Sequence, residues 1–186
     1  LHIPLQSGDD RILKAMGRPI RAEDYQMLID QIRLAVPGVA ITTDVIVGFP
    51  GETQQAFENT QTLIESIGFA GGHVFTYSPR PGTAANKMEG QVPISVAKAR
   101  NAALRKLFLD LGRDYQDRFI GEDLDVLWEF STRNQSGLWT LSGLTDNYLR
   151  VYTEAQTDLW NKITQVTVVG PHPQRQALKG EIVSDG

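Results

Sequence analysis

The side chains best suited to holding a ligand gather at three short stretches: Pro4-Leu5-Gln6-Ser7-Gly8, Gly48-Phe49-Pro50-Gly51-Glu52 and Tyr77-Ser78-Pro79-Arg80-Pro81-Gly82. Gln6, Ser7, Glu52 and Arg80 offer an amide, a hydroxyl, a carboxylate and a guanidinium. Glycine lets a ligand approach bare main chain, and proline stiffens a loop and removes a competing donor. The chemistry this suits is non-covalent capture. Each stretch alone also reads as an ordinary turn after a strand; three together point to a site. Asp44 sits inside an apolar strand, where a lone carboxylate is costly, so it needs a hydrogen-bonding partner. Glu52 suits a helix N-terminus. His2 reads as a supporting rather than a catalytic residue. The histidines, His2, His73 and His172, lie far apart in the chain, and there is no cysteine. Neither a zinc site nor a disulfide is expected.

The elements that must position these corners follow from periodicity. Leu1–Leu5 reads as a short strand, and Asp9-Asp10 cap a helix through Met16. Tyr25, Leu28, Ile29 and Ile32 recur at helical spacing over 22–35, and Pro37-Gly38 end that helix. Ala40–Val47 reads as a strand buried on both faces. Thr53 caps a helix through Ile67, and a third strand covers 72–77. Strand, helix, strand, helix, strand is the order of a parallel α/β sheet or part of a barrel. The segment 93–120 forms one long helix with Val96, Ala103, Leu104, Leu107, Leu111 and Tyr115 as its apolar stripe. Five short β-rich segments with turn residues between them then fill 121–186, which suggests a small antiparallel barrel. The boundary is expected near 119–122.

With 186 residues, 41% apolar and 22% charged, the chain can bury a core in one or two domains. The formal net charge of −4 counts against a generally nucleic-acid-binding surface. Charge is uneven, however. Residues 90–118 carry six bases and three acids, whereas 121–186 carry five bases and nine acids. Phosphate contacts are therefore expected to be local. No apolar run reaches membrane-span length and no signal peptide is evident, so the expected location is cytoplasmic. Leu1 opens directly into a strand-like run, as in a piece of a longer protein.

The strings "LHIPLQSGDDRILKAMGR", "TTDVIVGFPGET" and "VFTYSPRPGTAANKM" resemble the radical S-adenosylmethionine methylthiotransferases, which add a methylthio group to a tRNA base or, in one branch, a ribosomal-protein aspartate. "LSGLTDNYLRVY" is most similar to the branch acting on N6-threonylcarbamoyladenosine beside the anticodon. The ribosomal-protein branch usually has an acidic residue where Arg80 stands. The resemblance implies the C-terminal half of an open (β/α)6 barrel over 1–90, a connecting helix over 91–120 and a TRAM-like β-barrel over 121–186. It implies that Gln6, Ser7 and Gly8, with Val45, Ile46 and Gly48, line the S-adenosylmethionine pocket, and that Phe75, Thr76 and Tyr77 lie near the adenine. Arg80, Tyr148 and Arg150 would meet RNA, the anticodon stem-loop of tRNA being the partner together with the N-terminal half of the same enzyme. Trp139 offers a further stacking surface; Trp128 reads as core.

The family requires two 4Fe–4S clusters held by thiolates. This chain has none to offer, so it is expected to hold no catalytic or metal-binding residue and to be inactive alone. Self-association through an open sheet edge at Leu1–Leu5 is expected. The alternatives are the isopentenyladenosine and ribosomal-protein branches, another radical enzyme of the same fold, and a non-catalytic RNA-binding protein.

Overall fold

The computed structural model describes residues 1–183. It divides into two compact units, Leu1–Arg113 and Asp114–Gly186. The division falls inside the longest helix, upstream of the boundary expected near 119–122.

The first unit runs α1 (Asp10–Ala15), α2 (Ala22–Ala35), β1 (Thr42–Val47), α3 (Gln54–Ile67), β2 (Gly71–Thr76) and, as far as Arg113, α4 (Ile94–Asp117). Local chemistry sets several boundaries. The Asp9 carboxylate accepts from the amides of Arg11 and Ile12 at the start of α1, and the Thr53 hydroxyl accepts from Ala56 N at the start of α3. Gly68, at φ 63°, ends α3 in a left-handed turn.

β1 and β2 pair in parallel, with Asp44 opposite His73 and Ile46 opposite Phe75. The expected strand at Leu1–Leu5 is reduced to two isolated bridges, His2 to Thr42 and Gln6 to Val45, both parallel. Four residues there span three of β1. Pro4 has no N–H to give, and the Leu5 amide turns to the Thr43 hydroxyl at 2.9 Å. The segment still follows β1 through Ile3 N to Thr42 O and Gln6 N to Asp44 O.

β1 is not buried on both faces. Thr43, Val45 and Val47 are buried, whereas Thr42, Asp44 and Ile46 are half-buried. The buried face packs with Tyr25 and Ile29 of α2, Phe57, Ile64 and Ile67 of α3, and Leu104 and Phe108 of α4. On α4, Leu104 and Tyr115 of the expected stripe are buried and Leu107 and Leu111 half-buried, but Val96 and Ala103 are exposed, and the buried line is Ala97, Arg100, Leu104, Phe108, Gly112 and Tyr115. Spacings of three and four residues put an arginine in the middle of it.

The second unit contains β3 (Asp123–Arg133), β4 (Trp139–Leu144), β5 (Arg150–Ala155), β6 (Ile163–Pro171) and β7 (Leu178–Ile182), closed in the order β3-β4-β5-β7-β6. The closure corrects the all-antiparallel expectation. A ring of five strands cannot alternate direction all the way round, and the parallel pair falls between β5 and β7. Val126, Trp128, Leu141, Val151, Val166, Val168 and Leu178 fill the interior. Trp128 is wholly buried, with its Nε1–H donating to the Thr164 hydroxyl at 2.8 Å.

Gly8 tests how closely the first unit is packed. A Cβ there would lie 2.6 Å from Thr60 Cα, against helix backbone that cannot swing aside. Gly8→Ala is expected to cost about 1–3 kcal/mol of stability in urea denaturation, the usual range for overpacking. A midpoint unchanged from wild type would show that α3 moves freely.

Candidate functional site

The three corners do meet. Gln6, at the first, carries φ 69°, a left-handed conformation rare for a residue with a side chain. Bonds on both sides impose it: Gln6 N donates to Asp44 O at 2.8 Å, and Ile46 N donates to Gln6 O at 2.9 Å. At the second corner Gly48 (φ 76°) and Gly51 (φ 82°) bracket Phe49 and Pro50, and Gly51 N donates to Gly90 O. From the third, Tyr77 packs edge-on to Phe49 with ring centroids 5.2 Å apart. Gln6, Ile46 and Phe49 share a hollow of about 280 Å³ with Ala15, Met16 and Arg18 on one side and Ala84 and Ala85 on the other.

The glycines serve a purpose the sequence did not suggest. What approaches Gly48 is a helix: a Cβ there would stand 2.6 Å from Ala97 Cβ of α4. Gly8 likewise admits α3, and its amide donates to the Thr60 hydroxyl at 2.9 Å. Ser7 is buried against that same hydroxyl at 3.3 Å. Neither Ser7 nor Gly8 lines the hollow. Val45 is wholly buried on the helix side, so its side chain belongs to the core. Thr76 lies opposite Val47, on the face away from Phe75. Of the residues expected to hold a cofactor, Gln6 and Ile46 line the hollow, Gly48 shapes its corner, Tyr77 supports Phe49, and Phe75 stands on the open sheet face, 52% exposed.

That open face also gathers charge. Asp44 lies 3.2 Å from His2 Nε2 and 3.4 Å from His73 Nδ1. His2 Nδ1 is 3.0 Å from the Thr42 hydroxyl. The partner expected for Asp44 is thus a pair of histidines 71 positions apart in sequence, joined because β1 runs between them. No cluster that could hold a metal ion forms among the described residues.

The corner itself is fastened by an ion pair. Arg100 Nη1 donates to Glu52 Oε2 at 2.7 Å and to Glu52 O at 3.0 Å. The Gly48 amide donates to the same Oε2 at 2.7 Å, and the guanidinium stands 5.3 Å above the Phe57 ring. Burial pushes the Glu52 carboxyl above the usual range, against the opposing pull of the Gly48 amide and Arg100. Sequence reasoning placed Glu52 at a helix start and missed Arg100. The signal was present: Arg100 is three residues after Ala97 and four before Leu104, on the buried line.

The residues expected to meet RNA are divided between the two units. Arg80 is an exposed loop residue of the first unit. In the second, Tyr148 is 78% exposed, and Arg150 is half-buried and paired with Glu129 at 2.8 Å. Trp139 is half-buried, and Trp160 is exposed.

Comparison with known proteins decides the family. The model of the radical SAM superfamily matches residues 1–64. The threonylcarbamoyladenosine tRNA methylthiotransferase MtaB of Bacillus subtilis is 36% identical over all 186 residues, and that of Thermotoga maritima 42% over 150 residues, 81% of the chain. The tRNA-2-methylthio-N(6)-dimethylallyladenosine synthase of Thermobifida fusca is 47% identical over 127 residues, 68% of the chain. This chain belongs to the radical S-adenosylmethionine methylthiotransferases. It spans 41%, 34% and 26% of the lengths of those three relatives. As a methylthiotransferase segment it carries a cavity at the C-terminal ends of parallel strands, where α/β folds place their ligands.

Two consequences can be measured. A carboxyl raised by burial stabilises the fold below its unfolded pKa, and that contribution is lost as pH rises through the raised folded value. The stability of wild type relative to Glu52→Gln should therefore be greatest in acid and decline as pH rises above the ordinary carboxyl range. Arg100→Ala leaves the carboxylate buried without its partner and should cost about 3–5 kcal/mol near neutrality. Urea titrations of both variants across pH check the sign and the size. At the first corner, Gln6→Gly should leave stability within about 1 kcal/mol, whereas β-branched Gln6→Val should lose about 1–3 kcal/mol to backbone strain. Equal losses would mean that the side chain, not φ, is the constraint.

Proposed function

We propose that this chain is part of a tRNA methylthiotransferase that adds a methylthio group to N6-threonylcarbamoyladenosine next to the anticodon, working in the cytoplasm. The observation that carries the reading is the shared hollow. Gln6 and Phe49 of two corners distant in sequence line it, with Tyr77 of the third packed behind Phe49, in a chain similar along its whole length to such an enzyme. The first unit then corresponds to the last βα units of an open (β/α)6 barrel, with the face bearing Asp44, Ile46, His73 and Phe75 turned to its interior. The five-stranded closed barrel takes the place of a TRAM domain.

The fit to the implied cofactors differs between them. Ile46, Phe49 and Met16 give apolar walls, with the Gln6 amide and the Arg18 guanidinium at the edge. This suits the adenosine portion of S-adenosylmethionine, which when bound would supply the methyl group and the radical. At about 280 Å³ the hollow is just under the size range of typical small-molecule pockets, so it holds part of that molecule. The iron–sulfur clusters do not fit. Their thiolate ligands have no counterpart among these 186 residues, and the segment alone is expected to be inactive.

A second substrate is favoured by a specific observation: the Thermobifida fusca dimethylallyladenosine synthase shares 47% of its aligned residues with this chain. The experiment separates the two. The gene carrying this chain is expressed in cells lacking endogenous tRNA methylthiotransferases, and nucleosides from their tRNA are analysed by mass spectrometry. A methylthio mass on threonylcarbamoyladenosine is the expected result. The same mass on dimethylallyladenosine selects the second reading. Neither product, with the enzyme expressed and its clusters assembled, overturns both.

A further inference from the structure

Ion pairs engage only some cations of the first unit; Lys98 and Arg105 of α4 have none among the described residues, and neither do four cations on the segments that build the hollow. Arg100 is bound to Glu52, and Lys106 and Arg113 share Asp110. Arg21 holds Asp10, whose other oxygen accepts from the Ala22 amide, holding that carboxyl below its ordinary range. Asp10 is therefore already engaged. Around the hollow the balance differs. Arg18 lines it, between Gly17 at φ 74° and Pro19. Lys14 precedes the lining residue Ala15 on α1. From the opposite side Arg80 leads into the loop that supplies Ala84 and Ala85, and Lys87 closes the short 3₁₀ turn following it. All four cations are exposed, and none has an ion-pair partner among the described residues. From 78 to 88 there are two bases and no acid, in a chain whose net charge is −4.

Arg18 at the cavity and three further cations on the segments that build its two sides concentrate positive charge there, which favours a polyanion crossing the mouth. We propose that Lys14, Arg18, Arg80 and Lys87 form a phosphate-binding rim that holds the RNA backbone on either side of the hollow and so presents one nucleotide to it. The proposal rests on the functional reading above and adds to it the surface that positions the substrate. It also gives Arg80, which the sequence marks as an RNA contact, three companions that the sequence does not mark. Arg150, already tied to Glu129, has no part in the rim. Phosphate contacts of this kind set register and orientation and carry no base information. The rim therefore serves either modified adenosine equally.

The test uses this chain and a fluorescently labelled synthetic RNA hairpin, with affinity measured by anisotropy across a range of salt. Each phosphate contact contributes about 0.7–0.9 to the slope of log affinity against log salt. The fourfold variant Lys14→Gln, Arg18→Gln, Arg80→Gln, Lys87→Gln should lose up to about 3 from that slope and bind at least tenfold more weakly at low salt. The double variant Lys98→Gln, Arg105→Gln, which removes exposed cations of α4, should keep the wild-type slope. The proposal is overturned by an unchanged slope in the fourfold variant, by an equal loss per charge in the α4 variant, or by a wild-type chain that binds no hairpin even at low salt. None of these outcomes touches the nucleoside assay, so a failed rim and a failed enzymatic reading remain distinguishable.

Discussion

A carboxylate and a guanidinium buried side by side hold the first unit's working corner in shape. Glu52 Oε2 receives both the Gly48 amide and Arg100 at 2.7 Å, and Arg100 also holds the Glu52 carbonyl. Desolvating two charges is expensive, and such a pair adds little net stability compared with apolar packing. What it fixes is geometry. The Gly48–Glu52 turn is held to α4 at the level where Ala97 touches Gly48, while Phe57 stacks beneath the guanidinium. Phe49 then stands where it meets Tyr77 and walls the hollow. Without the pair the turn would have to satisfy a buried amide elsewhere, and the corner would move.

The sheet extends that corner into a surface with two characters. Its helix side is closed by aliphatic and aromatic residues from α2, α3 and α4. Its other side leaves Asp44, Ile46, His73 and Phe75 only partly covered. Parallel strands alternate their side chains, so one polar position on each strand is enough to bring His73 beside Asp44, with His2 reaching the same carboxylate from the interrupted segment. Gln6 bears the strain of joining that segment to β1, since Pro4 and the extra residue throw the ladder out of step. Strained backbone of this kind is commonly kept where a ligand sits.

The second unit solves a different problem. Five strands with short connections remove every sheet edge by closing on themselves, and closure requires the parallel β5–β7 contact. Trp128 fills the centre, and Gly143 and Gly180 leave room for Val126 and Val151. Its outer surface carries Tyr148 among Asp123, Asp125, Glu129 and Asp146, and Arg150 is paired with Glu129.

The sequence by itself determined the helices and, the Leu1–Leu5 segment apart, the succession of strands, the capping residues Asp9 and Thr53 and the five strands of the second unit. Those are local properties: side-chain period, turn chemistry and capping act within a few residues. Tertiary structure alone decided which neighbour each glycine admits. A glycine cleared for a helix and one cleared for a ligand look the same in a string, and here Gly8 and Gly48 both admit helices. It decided that Ser7, Val45 and Thr76 face away from the hollow. Strand parity is legible in a sequence, but which face meets the helices is set by the whole core. It decided the Glu52–Arg100 and His2–Asp44–His73 contacts, since attraction between groups 29 to 48 positions apart exists only once the chain has folded.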